Sequence, residues 1–543
     1  MTRGVTKEPT ATIARRIRST AGLLVLLALQ FLAVTANHED VLVDDHVYFV
    51  DADCYSRMTR VASIVDGGDW SIRFHAFENW PTGTLPHTTA PLDFLIIGLA
   101  ELLPVFGIAP EQTLDLAGAW ISPLLAFILT LGLWLWMGWM RLKFRWITLL
   151  LVAVSPMIVQ AVKLGRPDHQ SLVMLLIACA VAAEVTMWLR PGRGVAILWG
   201  FAWACAMWVS LFEPLILFVL IITIRAIIFR KSAWKENWLT GWLVFGMGYG
   251  LTVACDGWRI WPGADPTLAQ YFPRWASMLG ELARIPLFSL QWIAWTGAGL
   301  LTIPILVKRV MYPPKDRTAW LWLILLIATF ALSMWQLRWA CYFVLLLSMA
   351  LPFALDSLRL RSLWINLGFV VGLWPVAAAW EATLYPEEPD MLRLLEQREE
   401  NIQLRAIASA MSLPPGRGFI APWWISPAVA YWSGQPGVGG SSHQSLAGIA
   451  DTAKFFISVD PQEAQTILNL RKSTWVIVDD PVRTLSTSAQ LLGTDALPGS
   501  MGNLLFSGDV PPRLDLTLIK NSGFYQLYRK TDRASPTPSS RIN

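Results

Sequence analysis

The chain has 543 residues, of which 54% are hydrophobic and 15% charged, with a formal net charge of +4. So few charges exclude a soluble domain of ordinary composition, in which about a quarter of residues are charged. The small positive excess lies in short clusters between apolar runs, a distribution that belongs to membrane topology and excludes a nucleic-acid surface.

The N-terminal segment places Arg15, Arg16 and Arg18 before an apolar run at 20–36. Val34-Thr35-Ala36 has the form of a signal-peptide cleavage site, but ten further apolar runs follow and favour an uncleaved anchor. A long loop, 37–111, then carries His38-Glu-Asp, Asp44-Asp45 and Asp51-Ala-Asp53. Within it, 91–110 is apolar but interrupted by Asp93 and Glu101, which predicts an interfacial or re-entrant helix. Runs at 114–140, 146–163, 171–189, 195–210, 213–229, 239–258, 286–307, 318–335, 339–358 and 362–380 follow. Most have the ~20 residues that cross a ~30 Å hydrocarbon layer. The reading is a polytopic α-helical membrane protein with about eleven spans.

Charge assigns the sides. Arg141/Lys143/Arg145, Arg190/Arg193, Arg230/Lys231/Lys235, Lys308/Arg309/Lys315/Arg317 and Arg359/Arg361 fall on alternate joints, on the side of the basic N-terminus. The positive-inside rule makes that side cytoplasmic in a plasma or inner membrane. The opposite joints hold Asp51-Ala-Asp53, Arg166-Pro-Asp168-His169-Gln170, the loop 259–285 and Gln336-Leu-Arg338. The C-terminal part also falls outside.

From residue 381 the composition becomes that of a water-soluble domain. Asp460-Pro461-Gln-Glu463 has the cap, first-turn proline and third-position carboxylate of a helix start. Runs at 474–479 and 523–528 read as strands. The expected organisation is a membrane domain 1–380 with its large exported loop, an exported α/β domain 381–530, and a disordered tail 531–543. The five cysteines show no CxxC pair, so neither a disulfide framework nor a zinc site follows.

The acidic motifs carry the chemistry. Asp51, Asp53 and Asp168, with His169 or Gln170 alongside, offer the oxygen-rich ligands that Mg²⁺ or Mn²⁺ takes while leaving room for phosphate. Such an ion acts as a Lewis acid on a phosphate leaving group. A DxD alone also fits a solvated loop, but Asp168-His169 at the mouth of a span is costly unless paired. Arg338 begins an apolar run, where a guanidinium grips a lipid phosphate or snorkels to the interface.

These motifs resemble those of oligosaccharyltransferase catalytic subunits, within the GT-C superfamily of membrane glycosyltransferases. Asp51-Ala-Asp53-Cys-Tyr55-Ser-Arg57 resembles the first-loop acidic motif, and Gly165-Arg-Pro-Asp168-His169-Gln170 the second. Arg338-Trp-Ala-Cys-Tyr342 is similar to the motif whose Arg contacts the lipid phosphate. Pro422-Trp423-Trp424, followed by Tyr431-Trp432, stands where that family has Trp-Trp-Asp. Two departures stand out: Ile425 replaces the Asp, and in Thr267-Leu-Ala-Gln270-Tyr-Phe-Pro273 a Gln replaces the catalytic Glu. Gln170 likewise replaces a charged ligand.

The resemblance implies inverting transfer of a glycan from a polyprenyl-(pyro)phosphate donor to an exported polypeptide. It makes Asp53, Asp168 and Arg338 catalytic, and Asp51, Asp53, Asp168, His169, Gln170 and Gln270 the ligands of a weakly bound Mn²⁺ or Mg²⁺. Arg57, Arg338, Tyr342, Trp423 and Trp424 become substrate contacts. The departures keep open a polyprenyl-phosphate-monosaccharide enzyme acting on a lipid or polymer acceptor. A transporter or lipid flippase is the non-enzymatic alternative, but such proteins place charges near the bilayer midplane, whereas here they cluster at span ends.

Overall fold

The structure is a computed structural model that describes residues 8–86, 90–228, 236–257, 266–312, 316–358, 361–412, 414 and 416–531. The basic joints at Arg230, Lys231, Lys235, Lys315 and Arg359 lie outside the described residues. So do 259–265 of the loop, Leu413 and Pro415, and the tail from 532. The chain divides into two compact units that do not follow chain order: 1–47, 115–254 and 281–387 form one, and 48–114, 255–280 and 388–543 the other.

The first unit is a bundle of apolar helices. Among the described residues, seven helices are long and apolar enough to cross a membrane, an eighth if one bent pair is a single span. The remaining apolar runs form the shorter helical stretch Thr20–Val34 and the helices Arg193–Val209 and Phe212–Ile228. These helices build an integral membrane protein. The bent pair, Arg145–Val154 and Pro156–Val162, turns through 61° where Pro156 cannot donate to the helical ladder. The Val154 carbonyl freed there accepts from Trp380 Nε1 at 2.6 Å, and Ser155 Oγ donates to the Trp295 carbonyl at 2.7 Å. Non-helical backbone is thereby satisfied inside protein, as lipid surroundings require. Leu151, Leu351, Leu355, Phe369 and Leu373 form part of one buried cluster.

The second unit joins the loop that follows the first apolar helix, 48–114, to 255–280 and the C-terminal region. Its four-stranded sheet contains Gly418–Ile420, Ser473–Val478, Leu516–Asn521 and Gln526–Lys530, labelled β1 to β4, in the order β1-β2-β4-β3. β1 and β2 are parallel and the other pairs antiparallel. The expected helix start is present: Asp460 caps Pro461–Leu470 by accepting from Gln462 N at 2.9 Å. Glu463 instead accepts from Ser458 Oγ at 2.6 Å. The final strand begins at Gln526 rather than 523, because Gly523 sits at φ +91° in the preceding turn. The segment 91–106 is a 12-residue helix, Pro91–Leu102, followed by a 3₁₀ turn.

The loop and the C-terminal region are tied by polar contacts. Arg471 Nη1 donates to Asn79 Oδ1 at 3.0 Å and to the Trp80 carbonyl at 3.2 Å. Trp80 N and Gly437 N bond to the carbonyls of Gly437 and Phe77.

Candidate active site

In the bundle, charge collects where three helices begin. Asp168 is the N-cap of His169–Leu189, the position at which a carboxylate satisfies the helix's free N–H groups. Its Oδ1 lies 2.7 Å from His169 N and 2.6 Å from the ring Nδ1. An ionised Asp168 places the imidazole proton on Nδ1 and leaves Nε2 with its lone pair. That Nε2 is buried and makes no hydrogen bond among the described residues.

The turn bearing Asp168 is pinned from several directions. Gly165 takes φ +75°, which a glycine adopts without strain. Gly165 N donates to the Ala119 carbonyl at 3.0 Å, Leu164 N to Val34 at 2.8 Å, and Asn37 Nδ2 to the Leu164 carbonyl at 3.0 Å. Ser122 Oγ bonds to the Arg166 carbonyl, and Ser171 Oγ donates to that of Asp168 at 3.0 Å.

Arg338 lies in a 3₁₀ turn, Leu337–Trp339, between Arg317–Trp335 and Ala340–Leu355. The turn is held by Leu337 N donating to the Ala283 carbonyl at 2.9 Å. Its guanidinium forms an ion pair with Glu213, which is 0% exposed in the first turn of Phe212–Ile228. Ser210 Oγ donates to Glu213 Oε2 at 3.0 Å, and Glu281 approaches Arg338 Nη1 at 3.9 Å. The Phe212 ring lies 5.7 Å from the guanidinium. Arg338 Nε and the Tyr342 hydroxyl are buried without a hydrogen-bond partner among the described residues. The charges of Asp168, Glu213 and Arg338 all act on His169, so the sites form one electrostatic cluster. Gln170 is buried beside it.

In the second unit, Asp51 caps Ala52–Val65, accepting from Cys54 N at 3.0 Å, while Asp53 is exposed in the first turn. Arg57 is buried, with Nη1 at 2.5 Å from Asp93 Oδ1. Trp432 packs edge-on against Tyr55 at 4.9 Å, anchoring the helix that carries Asp53. Beneath it, burial pushes the Glu78 carboxyl up, opposed by hydrogen bonds from Ser56 and Ser441 and by the Arg60 charge. Burial, reinforced by Arg60, holds His75 well below the usual imidazole range.

Gln270 is exposed on Pro266–Ala276, whose Tyr271 and Trp275 pack against Leu446, Ile449, Ala453 and Leu491. Trp423 and Trp424 are half-buried. Trp424 Nε1 donates to Asp479 Oδ2 at 3.1 Å, and Arg483 stands 4.8 Å from its ring. Ile425 is buried; the carboxylate at the second tryptophan is therefore Asp479, from the end of β2. Burial raises that carboxyl.

Among the described residues, no group of three or more His, Cys, Asp or Glu is arranged to hold a metal ion. Asp168 and His169 fit one in kind. The carboxylate fixes the tautomer, and the open, buried Nε2 is a ligand atom of the sort that carboxylate-oriented histidines present. Magnesium-type ions usually complete their shell with water and substrate phosphate. Glu213 and Glu281 are the residues that sequence reasoning missed. An acid opening an apolar run was the available signal for Glu213; its partner was not legible.

The fold is similar to that of oligosaccharyltransferase-like GT-C membrane glycosyltransferases. Archaeoglobus fulgidus oligosaccharyltransferase AglB, in complex with an inhibitory peptide and a dolichol-phosphate, matches with TM-score 0.63 at 14% identity, over 96% of this chain and 75% of that one. ArnT from Cupriavidus metallidurans, bound to undecaprenyl phosphate, matches with TM-score 0.55 at 14% identity, over 96% and 99%. No protein-family model and no curated protein matches the sequence.

Proposed function

We propose that this chain is a membrane glycosyltransferase that transfers a glycan from a polyprenyl-(pyro)phosphate donor to an exported polypeptide. The observation that carries the proposal is the charged cluster of Asp168, His169, Glu213 and Arg338 at the starts of apolar helices, in a fold shared with proteins solved with dolichol-phosphate and undecaprenyl phosphate. Ionisable groups at the ends of apolar helices are costly unless paired, and such clusters are candidates for function.

Arg338 holds the donor phosphate through N–H groups left over by Glu213. Tyr342 adds a hydroxyl to the same group. Asp53, on the anchored helix Ala52–Val65, orients the acceptor, and Asp51 and Arg57 fix that helix through its cap and through Asp93. Trp423 and Trp424 form the acceptor platform. The acceptor nucleophile attacks the first carbon of the sugar as the bond to the phosphate oxygen breaks; the phosphate leaves with the electron pair, and the acceptor's proton passes to the Asp53 carboxylate. Asp168 and His169, with Gln170 as a weak amide donor, would hold a divalent cation, which would supply Lewis acidity to that leaving group when bound. The positive-inside pattern supports a cytoplasmic N-terminus and an extracytoplasmic second unit.

A second reading, transfer of a single sugar from a polyprenyl phosphate to a lipid, is favoured by Ile425 and by the full-length match to ArnT. Membranes containing the protein, supplied in parallel with a radiolabelled polyprenyl-pyrophosphate glycan and a radiolabelled polyprenyl-phosphate sugar, together with an acceptor peptide and a lipid acceptor, decide between them. Label on the peptide supports the main proposal and label on the lipid the second. No transfer from either mono- or diphosphate donors overturns both.

A further inference from the structure

We propose that Glu213 is a positioning residue that sets the Arg338 guanidinium for the donor phosphate, an inference that rests on the function proposed above. Glu213 has no accessible surface, yet it is a carboxylate in the first turn of a helix whose only other charged residue is Arg225 in its last turn. Its cost there is offset in three ways. The first-turn position is favourable for negative charge, Ser210 Oγ donates to Oε2 at 3.0 Å, and Arg338 binds Oε1.

Each oxygen thus has a separate duty, and the Ser210 contact fixes the carboxylate plane that Arg338 meets. The guanidinium is fastened at Nη2 by Glu213, while Phe212 lies along its face. Its Nε is buried with no hydrogen-bond partner among the described residues, and Nη1 has only the distant Glu281 at 3.9 Å. A guanidinium has five N–H donors in a rigid fork. Fixing one corner therefore aims the others, and the aimed donors lack partners of comparable strength. Glu281 is more exposed, its side chain 39% accessible, and is the contact that an incoming phosphate displaces. Arg338 without Glu213 keeps its charge but loses its orientation.

A purely structural ion pair would serve folding alone, and the two roles separate in binding. Undecaprenyl phosphate is titrated against the full chain in detergent, with Glu213→Gln, Glu213→Asp and Arg338→Ala alongside, and transfer kinetics are measured on the same preparations. The expected result is a tenfold or greater weakening of undecaprenyl phosphate binding in Glu213→Gln, with the donor KM raised and the acceptor KM unchanged. Glu213→Asp recovers part of the loss. Folded Glu213→Gln protein with unaltered binding and donor KM overturns the proposal, as does equal loss of donor and acceptor affinity. If Arg338→Ala itself binds and transfers normally, the proposed function of Arg338 fails first. Loss in Arg338→Ala with none in Glu213→Gln removes only the role of Glu213.

Discussion

Among the described residues the bundle contains two arginine–glutamate pairs with a fully buried glutamate, Arg338–Glu213 and Arg225–Glu184, one toward each end of the helix Phe212–Ile228. Glu213 and Arg225 lie on the same helix, Phe212–Ile228, twelve positions and so roughly 18 Å apart along its axis. Around Arg338, polar atoms remain open: its own Nε, His169 Nε2 and the Tyr342 hydroxyl. Around Arg225, aromatic rings close the site. Trp199, Trp238 and Trp242 stand 5.3, 4.0 and 5.6 Å from the guanidinium, and Trp188 Nε1 donates to Glu184 at 2.8 Å. Ring faces surround the cation and its contact with Glu184 is longer, at 3.8 Å, although Arg225 Nη1 and Glu184 Oε2 also lack hydrogen-bond partners among the described residues. Buried charge with unsatisfied atoms thus does not by itself mark a site; the Arg338 pair differs in having Asp168 and His169 in its field, where the Arg225 pair has ring faces around its cation.

The comparison can be broken in order of expected effect. Arg338→Ala or Asp168→Ala reduces glycan transfer by roughly 10²–10³-fold, the loss typical of removing one preorganised electrostatic group, whereas Arg225→Ala protein that folds retains its turnover. Transfer assays on matched amounts of folded protein check this, and near-equal losses erase the distinction. Next, Glu184→Ala destabilises the bundle by about 3–5 kcal/mol, while the double change Glu184→Leu with Arg225→Met is neutral or stabilising. Denaturation in detergent measures both. Chelation by EDTA then lowers transfer, and Mn²⁺ restores it; activity indifferent to EDTA removes the ion from Asp168 and His169.

The smallest effect concerns His75 in the second unit. Because burial keeps its ring neutral in the folded state, the unfolded chain takes up a proton below about pH 6.5 that the folded chain does not. This contribution is intact above that pH and declines as pH falls. Melting curves between pH 7 and 5 show the decline in the unmodified protein, and His75→Phe flattens it.

Much of this was legible in the sequence, for reasons that differ by residue. Asp168, His169 and Arg338 announce themselves as charges at the ends of apolar runs, where hydropathy makes any ionisable group conspicuous. Glu213 sits at an equally suggestive boundary, but its pairing with Arg338 spans 125 positions and depends on how helices pack. Arg57 stands in a motif that implies substrate contact, while its carboxylate partner, Asp93, reads only as an interruption of an apolar stretch. Asp479 lies far along the chain from Trp424, so no local pattern connects them. Span ends are local information, and ion-pair partners are not.

Arg471 meets Asn79 and the Trp80 carbonyl across nearly four hundred residues of chain. A ribosome releases the first partner long before the second exists. The early loop must therefore wait, its Glu78 and His75 still wet, until the last segment arrives to seal it. Truncating the protein before residue 471 would consequently spoil a region completed hundreds of residues earlier, and a fragment starting at 388 would lack the partners that Asn79 and Trp80 give Arg471.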